Sequence, residues 1–129
     1  MKSVYPIILT PTEAGYFVTI PDLEINTQGN TLAEAMEMAR DAIGLWGITQ
    51  EDLGNPIPTP SQLTPPHNEN EICTLVDVDF IAYRKANENR AVKKTLTIPS
   101  WLNAEAEKAG INFSRVLQDA LMQKLNVSR

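Results

Sequence analysis

The sequence predicts an α+β chain of two modules, with three observations behind it. Two runs rich in β-branched and aromatic side chains flank a turn near the N-terminus, a capped amphipathic helix follows them, and a short strand-helix-helix pattern closes the chain. The expected order is β-β-β-α-β over residues 1–83, a polar linker at 84–91, and the second module at 92–129.

Residues 4–10 and 16–20 read as a hairpin around the turn-rich segment Pro11-Thr12-Glu13-Ala14-Gly15. Pro6, which has no N–H to give a ladder, suits an edge position. A weaker third strand is expected at 24–28, after the break at Pro21-Asp22. Thr31-Leu32-Ala33-Glu34 is a capping box, in which the threonine oxygen accepts the Glu34 N–H and Glu34 reaches back. Leu32, Ala35, Met36, Ala39, Ala42, Ile43 and Trp46 then recur on one helical face, Gly47 is the expected terminator, and one short further turn is read from Ile48 to Leu53. Five prolines between Pro56 and Pro66 make residues 54–71 a loop. Residues 72–83 alternate as a half-buried strand, with Val76, Val78 and Phe80 inward and Asp77 and Asp79 outward.

The chain of 129 residues has no run of 18 apolar side chains, so no membrane span is expected. Its start is too broken by proline for a signal peptide, and the lone Cys73 allows no internal disulfide. A cytoplasmic location is the simplest expectation. The net charge of −5 conceals a division: residues 1–83 hold twelve acidic and two basic side chains, whereas residues 84–129 hold four and nine. An acidic domain repels nucleic acid and attracts basic proteins, and a basic tail can neutralise phosphate.

In the tail, Leu96 and Ile98 share one phase of a strand over 92–98, and Lys93, Thr95 and Thr97 the other. So short a strand needs a partner, for which a second copy of the chain is the natural source. Pro99 opens a helix with Leu102, Ala106 and Ala109 on its apolar face, and Gly110 ends it. Asn112 caps a second helix with the stripe Phe113, Val116, Leu117, Ala120, Leu121 and Leu125.

The run Lys93-Lys94-Thr95-Leu96-Thr97-Ile98-Pro99, with Gly110 and Asn112-Phe113-Ser114, resembles the ribbon-helix-helix repressors. The resemblance implies that two chains pair their strands into a ribbon that enters the DNA major groove. Lys93, Thr95 and Thr97 would then face base edges, and Lys94, at the inward phase, would face phosphate. The first turn at Asn112, Phe113 and Ser114 would hold a phosphate through free amides, with Arg115 adding charge. The front half resembles the HicB antitoxins in Gly15-Tyr16-Phe17-Val18-Thr19-Ile20-Pro21-Asp22-Leu23, Thr27-Gln28-Gly29-Asn30-Thr31, the helix from Ala33 to Trp46, and Pro56-Ile57-Pro58. It departs at Glu24-Ile25-Asn26, where many relatives carry a Pro-Gly turn. This resemblance implies a partial RNase H-like fold without catalysis, a HicA-type mRNA-cleaving toxin as partner, and repression of the operon's own promoter. The candidates for the toxin contact are Asp22, Glu24 and Trp46. The minimum DNA-binding unit is a homodimer, with a dimer of dimers as the larger assembly.

Two other classes compete. A repressor whose front domain senses a small ligand would need no toxin. A residual nuclease would gather Asp77 and Asp79 with Asp22 or Glu24 around metal ions, but no third carboxylate is set by spacing. His67 in its proline loop reads as surface, and Cys73 as a buried structural thiol. No glycine-rich phosphate loop or Cys/His cluster is present, so neither cofactor nor metal is expected.

Overall fold

A computed structural model describes residues 2–129, which form two compact units meeting at Arg90 and Ala91. In the first unit, β1 (Lys2–Thr12), β2 (Gly15–Ile20), β3 (Ile25–Gly29) and β4 (Ile72–Asp79) form one antiparallel sheet in the order β3-β2-β1-β4. A 3-10 turn at Pro21–Leu23 separates β2 from β3. Two helices complete the unit, α1 (Leu32–Asp52) and α2 (Phe80–Asn87). The core lies between α1 and one face of the sheet. Tyr5, Ile7 and Leu9 of β1, Val18 and Ile20 of β2, and Val76 and Val78 of β4 meet Ala35, Ala39, Ile43 and Ile48 there.

Local chemistry explains most boundaries. The Thr31 oxygen accepts the Glu34 N–H at 3.1 Å, the threonine half of the expected capping box, while the Glu34 carboxylate reaches one residue past the cap to accept the Asn30 N–H at 3.2 Å. Pro6 sits on β1, an interior strand rather than an edge. Its place is tolerated because pairing with β2 begins only at Ile8, leaving Pro6 paired on one side, opposite Leu75. The long loop carries no strand or helix. It is tied down by the Tyr5 hydroxyl, which donates to the Pro58 carbonyl at 2.9 Å, and by Ile57 packed on the core.

Two expectations fail together. Helix α1 does not end at Gly47 but continues to Asp52, and the final strand stops at Asp79 instead of Tyr83. Residues 80–87 are helical, including the first four assigned to the linker. Asp79 makes the switch: its Oδ1 accepts the Ala82 N–H at 3.1 Å, capping α2. Gly44 and Gly47 give α2 its seat. A Cβ on Gly47 would lie 2.1 Å from the Phe80 ring, and one on Gly44 would lie 2.3 Å from the Tyr83 ring. Arg84 then clamps the two helices, donating to the Ile48 carbonyl at 3.2 Å and pairing with Asp52 at 2.9 Å and Glu88 at 2.8 Å.

The second unit holds α3 (Ser100–Lys108) and α4 (Phe113–Leu125), joined through Gly110 at φ +69°. The strand expected at 92–98 has no ladder, since one chain supplies no partner for it. Neither helix has a buried residue.

Gly47→Ala tests the seat. Alanine favours a helix over glycine by about 1 kcal/mol. The buried Phe80 ring cannot move aside, and overpacking of this kind costs roughly 1–3 kcal/mol, so a net fall in melting temperature is expected. An unchanged or higher value would mean that α2 does not dock there. Asp79→Ala tests the cap. The Ala82 N–H is the main cause holding the Asp79 carboxyl below its ordinary 3.8, so its contribution is present at neutral pH and lost as pH falls through the lowered value. Wild type should therefore be more stable than Asp79→Ala at pH 7, with the gap closing in strong acid; a gap constant with pH in thermal melts would refute the cap.

Candidate nucleic-acid interface and acidic surface

The tail segment 92–98 is exposed and carries neither strand nor helix, and its two phases take separate surroundings. Lys94, Leu96 and Ile98 line an open groove of about 600 Å3, whose far wall is Leu102 and Ala106 of α3 with Phe113, Val116 and Leu117 of α4. Lys93, Thr95 and Thr97 are exposed and do not line it. Asn112 caps α4 by accepting the Arg115 N–H at 3.0 Å. The Phe113 and Ser114 amides stand in the first helical turn, where the helix itself offers no acceptor. Their side chains border the groove. Arg115 lies 3.6 Å from Asp119, one turn on, on an exposed surface.

In the acidic unit the three toxin-contact candidates do not share one environment. Asp22 accepts the Ser61 N–H at 2.6 Å and so anchors the proline loop. Glu24 holds a left-handed backbone, φ 54°, closing the 3-10 turn, and its side chain is exposed. Trp46 is half-buried and packs on the core.

Asp77 and Asp79 project from one face of β4, but each has a structural task. The Arg40 guanidinium pairs with Asp77 at 3.1 Å, also donating to its carbonyl, and holds that carboxyl below its ordinary value. Asp79 caps α2. Among the described residues no three His, Cys, Asp or Glu side chains come together as metal ligands. Glu71 is lowered chiefly by the Asn68 N–H and then by the Thr10 hydroxyl, so it too is a strap for the loop. The His67 ring stays within its loop, with Nδ1 2.9 Å from the Pro65 carbonyl oxygen. Cys73 is half-buried rather than fully buried.

Sequence reasoning missed Arg84 and Tyr83. The Tyr83 hydroxyl donates to Asp41 at 3.1 Å, and burial, with Asp41 second, pushes it above its ordinary value. The available signal was Asp79 itself, a residue type that caps helix N-termini.

Comparison with known proteins agrees with this architecture. The chain is 32% identical over 104 residues to an uncharacterized 14.9 kDa protein of Haemophilus phage HP1, covering 77% of this chain and 75% of the relative. Over 41 residues it is 56% identical to the antitoxin HicB of Escherichia coli K12, a match spanning 30% of each chain. Its fold resembles a chain of a toxin–antitoxin complex from Streptococcus pneumoniae, with TM-score 0.58 at 29% identity over 96% of this chain and 99% of the other. The family described as HicB-like antitoxin of bacterial toxin–antitoxin systems matches residues 5–121, and the chain belongs to it.

Proposed function

We propose that this chain is an antitoxin that inhibits a HicA-type mRNA-cleaving toxin through its acidic unit and represses its own operon through a dimeric ribbon-helix-helix. One observation carries the DNA-binding half. Residues 91–129 contain no buried side chain, yet Leu96, Ile98, Leu102, Phe113 and Val116 converge on one open apolar groove. That is half of a core. A second tail, pairing its 92–98 segment antiparallel to the first, would bury both halves and satisfy both backbones.

The same pairing turns Lys93, Thr95 and Thr97 away from the core, where a two-stranded ribbon fits the major groove. Lysine can bond guanine acceptors, and threonine can bond bases or touch a thymine methyl. The first turn of α4 offers amides to phosphate beside Arg115, and Lys94 reaches the backbone. The toxin half rests on family membership and on the twelve acidic side chains of residues 1–83, which suit a basic, RNA-binding partner. We read the acidic unit as a partial RNase H-like fold whose carboxylates have structural duties, and the protein as a non-enzyme of the cytoplasm that needs no cofactor.

The purified chain should be a dimer, or a dimer of dimers, by light scattering. Ile98→Asp should give monomers that no longer bind the DNA upstream of the gene. Lys93→Ala with Thr95→Ala should stay dimeric but lose about 1–3 kcal/mol per base contact, roughly five- to 150-fold for each. The double variant should still co-purify with the short basic protein encoded beside it. A dimer that survives Ile98→Asp, or simultaneous loss of both activities in the double variant, contradicts the separation of roles.

A further inference from the structure

The sheet of the acidic unit has a second face. Both helices contribute to the core on the Tyr5, Ile7 and Val76 side, so the residues of opposite phase have no helix over them. By register this face carries Val4 beside Asp77, Pro6 beside Leu75, and Ile8 between Thr19 and Cys73, with Phe17 one step along β2; Pro6 and Ile8 are buried, and Val4, Phe17 and Leu75 are the exposed apolar positions. An antiparallel sheet can leave one face to water, but such a face is normally polar. Here Leu75 is 62% exposed, and Val4 and Phe17 exceed 40%. A segment of the proline loop lies along its β4 side, holding Leu63 out at 79% exposure. Between that loop and the sheet is a cleft of about 220 Å3 lined by Pro6, Leu63, Cys73 and Leu75.

We propose that this open sheet face, with Leu63 and Leu75 at its centre, is the docking surface for the basic protein partner. The inference rests on the antitoxin reading above and gives that reading an address. Charge selects the occupant. Up to Arg90 the chain holds thirteen acidic and five basic side chains, a net of −8, and Glu71, Asp77 and Asp79 stand along the β4 margin. A second copy would bring −8 against −8, and nucleic acid would be repelled in the same way. A basic protein with an apolar centre meets both the greasy middle and the acidic border, the usual anatomy of an interface.

The single cysteine lies on this face, and so the chain contains its own probe. The full chain is labelled with a maleimide, alone and co-expressed with the short basic protein from the neighbouring reading frame, and the Cys73 peptide is followed by mass spectrometry. Labelling is expected to slow about tenfold or more in the complex, and Leu75→Asp or Phe17→Asp to weaken binding by about tenfold or more. Leu45→Asp, at an exposed position on α1, should bind as wild type and serve as control. Melting curves of the variants show that they fold, and the labelling arm needs no substitution.

A chain that never co-purifies with that protein overturns the antitoxin reading and this surface with it. A chain that co-purifies while Cys73 reacts at its free rate and Leu75→Asp binds normally overturns the surface alone. Protection that rises with the concentration of the chain by itself marks a second copy as the occupant, and protection in the dilute free chain marks the basic tail; either result also overturns the proposal.

Discussion

Ordering a residue costs about 1–2 kcal/mol of backbone entropy, and apolar burial returns roughly 25 cal/mol for each Å2 withdrawn from water. The acidic unit meets that requirement within one chain, through thirteen buried residues in a single cluster. The segment from Ala91 onward does not, since every one of its apolar side chains keeps contact with solvent. Helix α4 is well capped, by Asn112 at one end and by the left-handed Asn126 at the other, whereas α3 has no side-chain cap at its N-terminus. Caps of this kind contribute on the order of 1 kcal/mol and cannot replace a core. The missing apolar surface must come from elsewhere, and the proposed dimer, the ribbon and the outward presentation of Lys93, Thr95 and Thr97 all descend from that requirement.

Within the acidic unit, two glycines on α1 are the comparable constraint. Bare backbone at Gly44 and Gly47 lets the Tyr83 and Phe80 rings approach the helix axis, which brings Arg84 within reach of the Ile48 carbonyl and of Asp52. Arginine suits that place because one guanidinium serves several acceptors at once and stays charged. Asp52, more than burial, sets the direction in which the Arg84 pKa moves, which is upward. Close packing, then the ion-pair network, then the position of the last helical turn follow in that order from residues with no side chain at all.

How much of this is legible in the sequence depends on whether the deciding interaction is local. The capping threonine at Thr31, the alternation of Val76 and Val78 with Asp77 in β4 and the Asn112 cap involve neighbours three positions apart or simple parity, and the structure shows them as expected. The end of β4 was hidden because Phe80 continues the buried phase of Val76 and Val78 whether it stands in a strand or opens a helix. Gly47 reads as a terminator when only its own helix is considered; its real neighbour is a ring 33 positions later. The same rule divides the candidate sites. Lys93, Thr95 and Thr97 separate from Lys94, Leu96 and Ile98 by parity alone. Asp22 carried no local hint that its carboxylate would be occupied by Ser61, 39 positions away.

The overall charge of −5 would by itself argue against the proposed DNA binding, but the sign reverses in the segment proposed to carry it. At physiological ionic strength the screening length is about 8 Å, so phosphate responds mainly to charges in the unit that touches it. From Ala91 onward there are six basic and three acidic side chains, and two of the acids, Glu105 and Asp119, are already paired with Lys108 and with Arg115 and Arg129. Two tails joined along one ribbon would double that local excess and set four lysines, at positions 93 and 94 of each chain, on a single short element. In the proposed function the −8 of the acidic unit serves the basic protein partner. In the proposed function, opposite electrostatic demands fall on separate segments of the chain, and the total charge of −5 reports on neither.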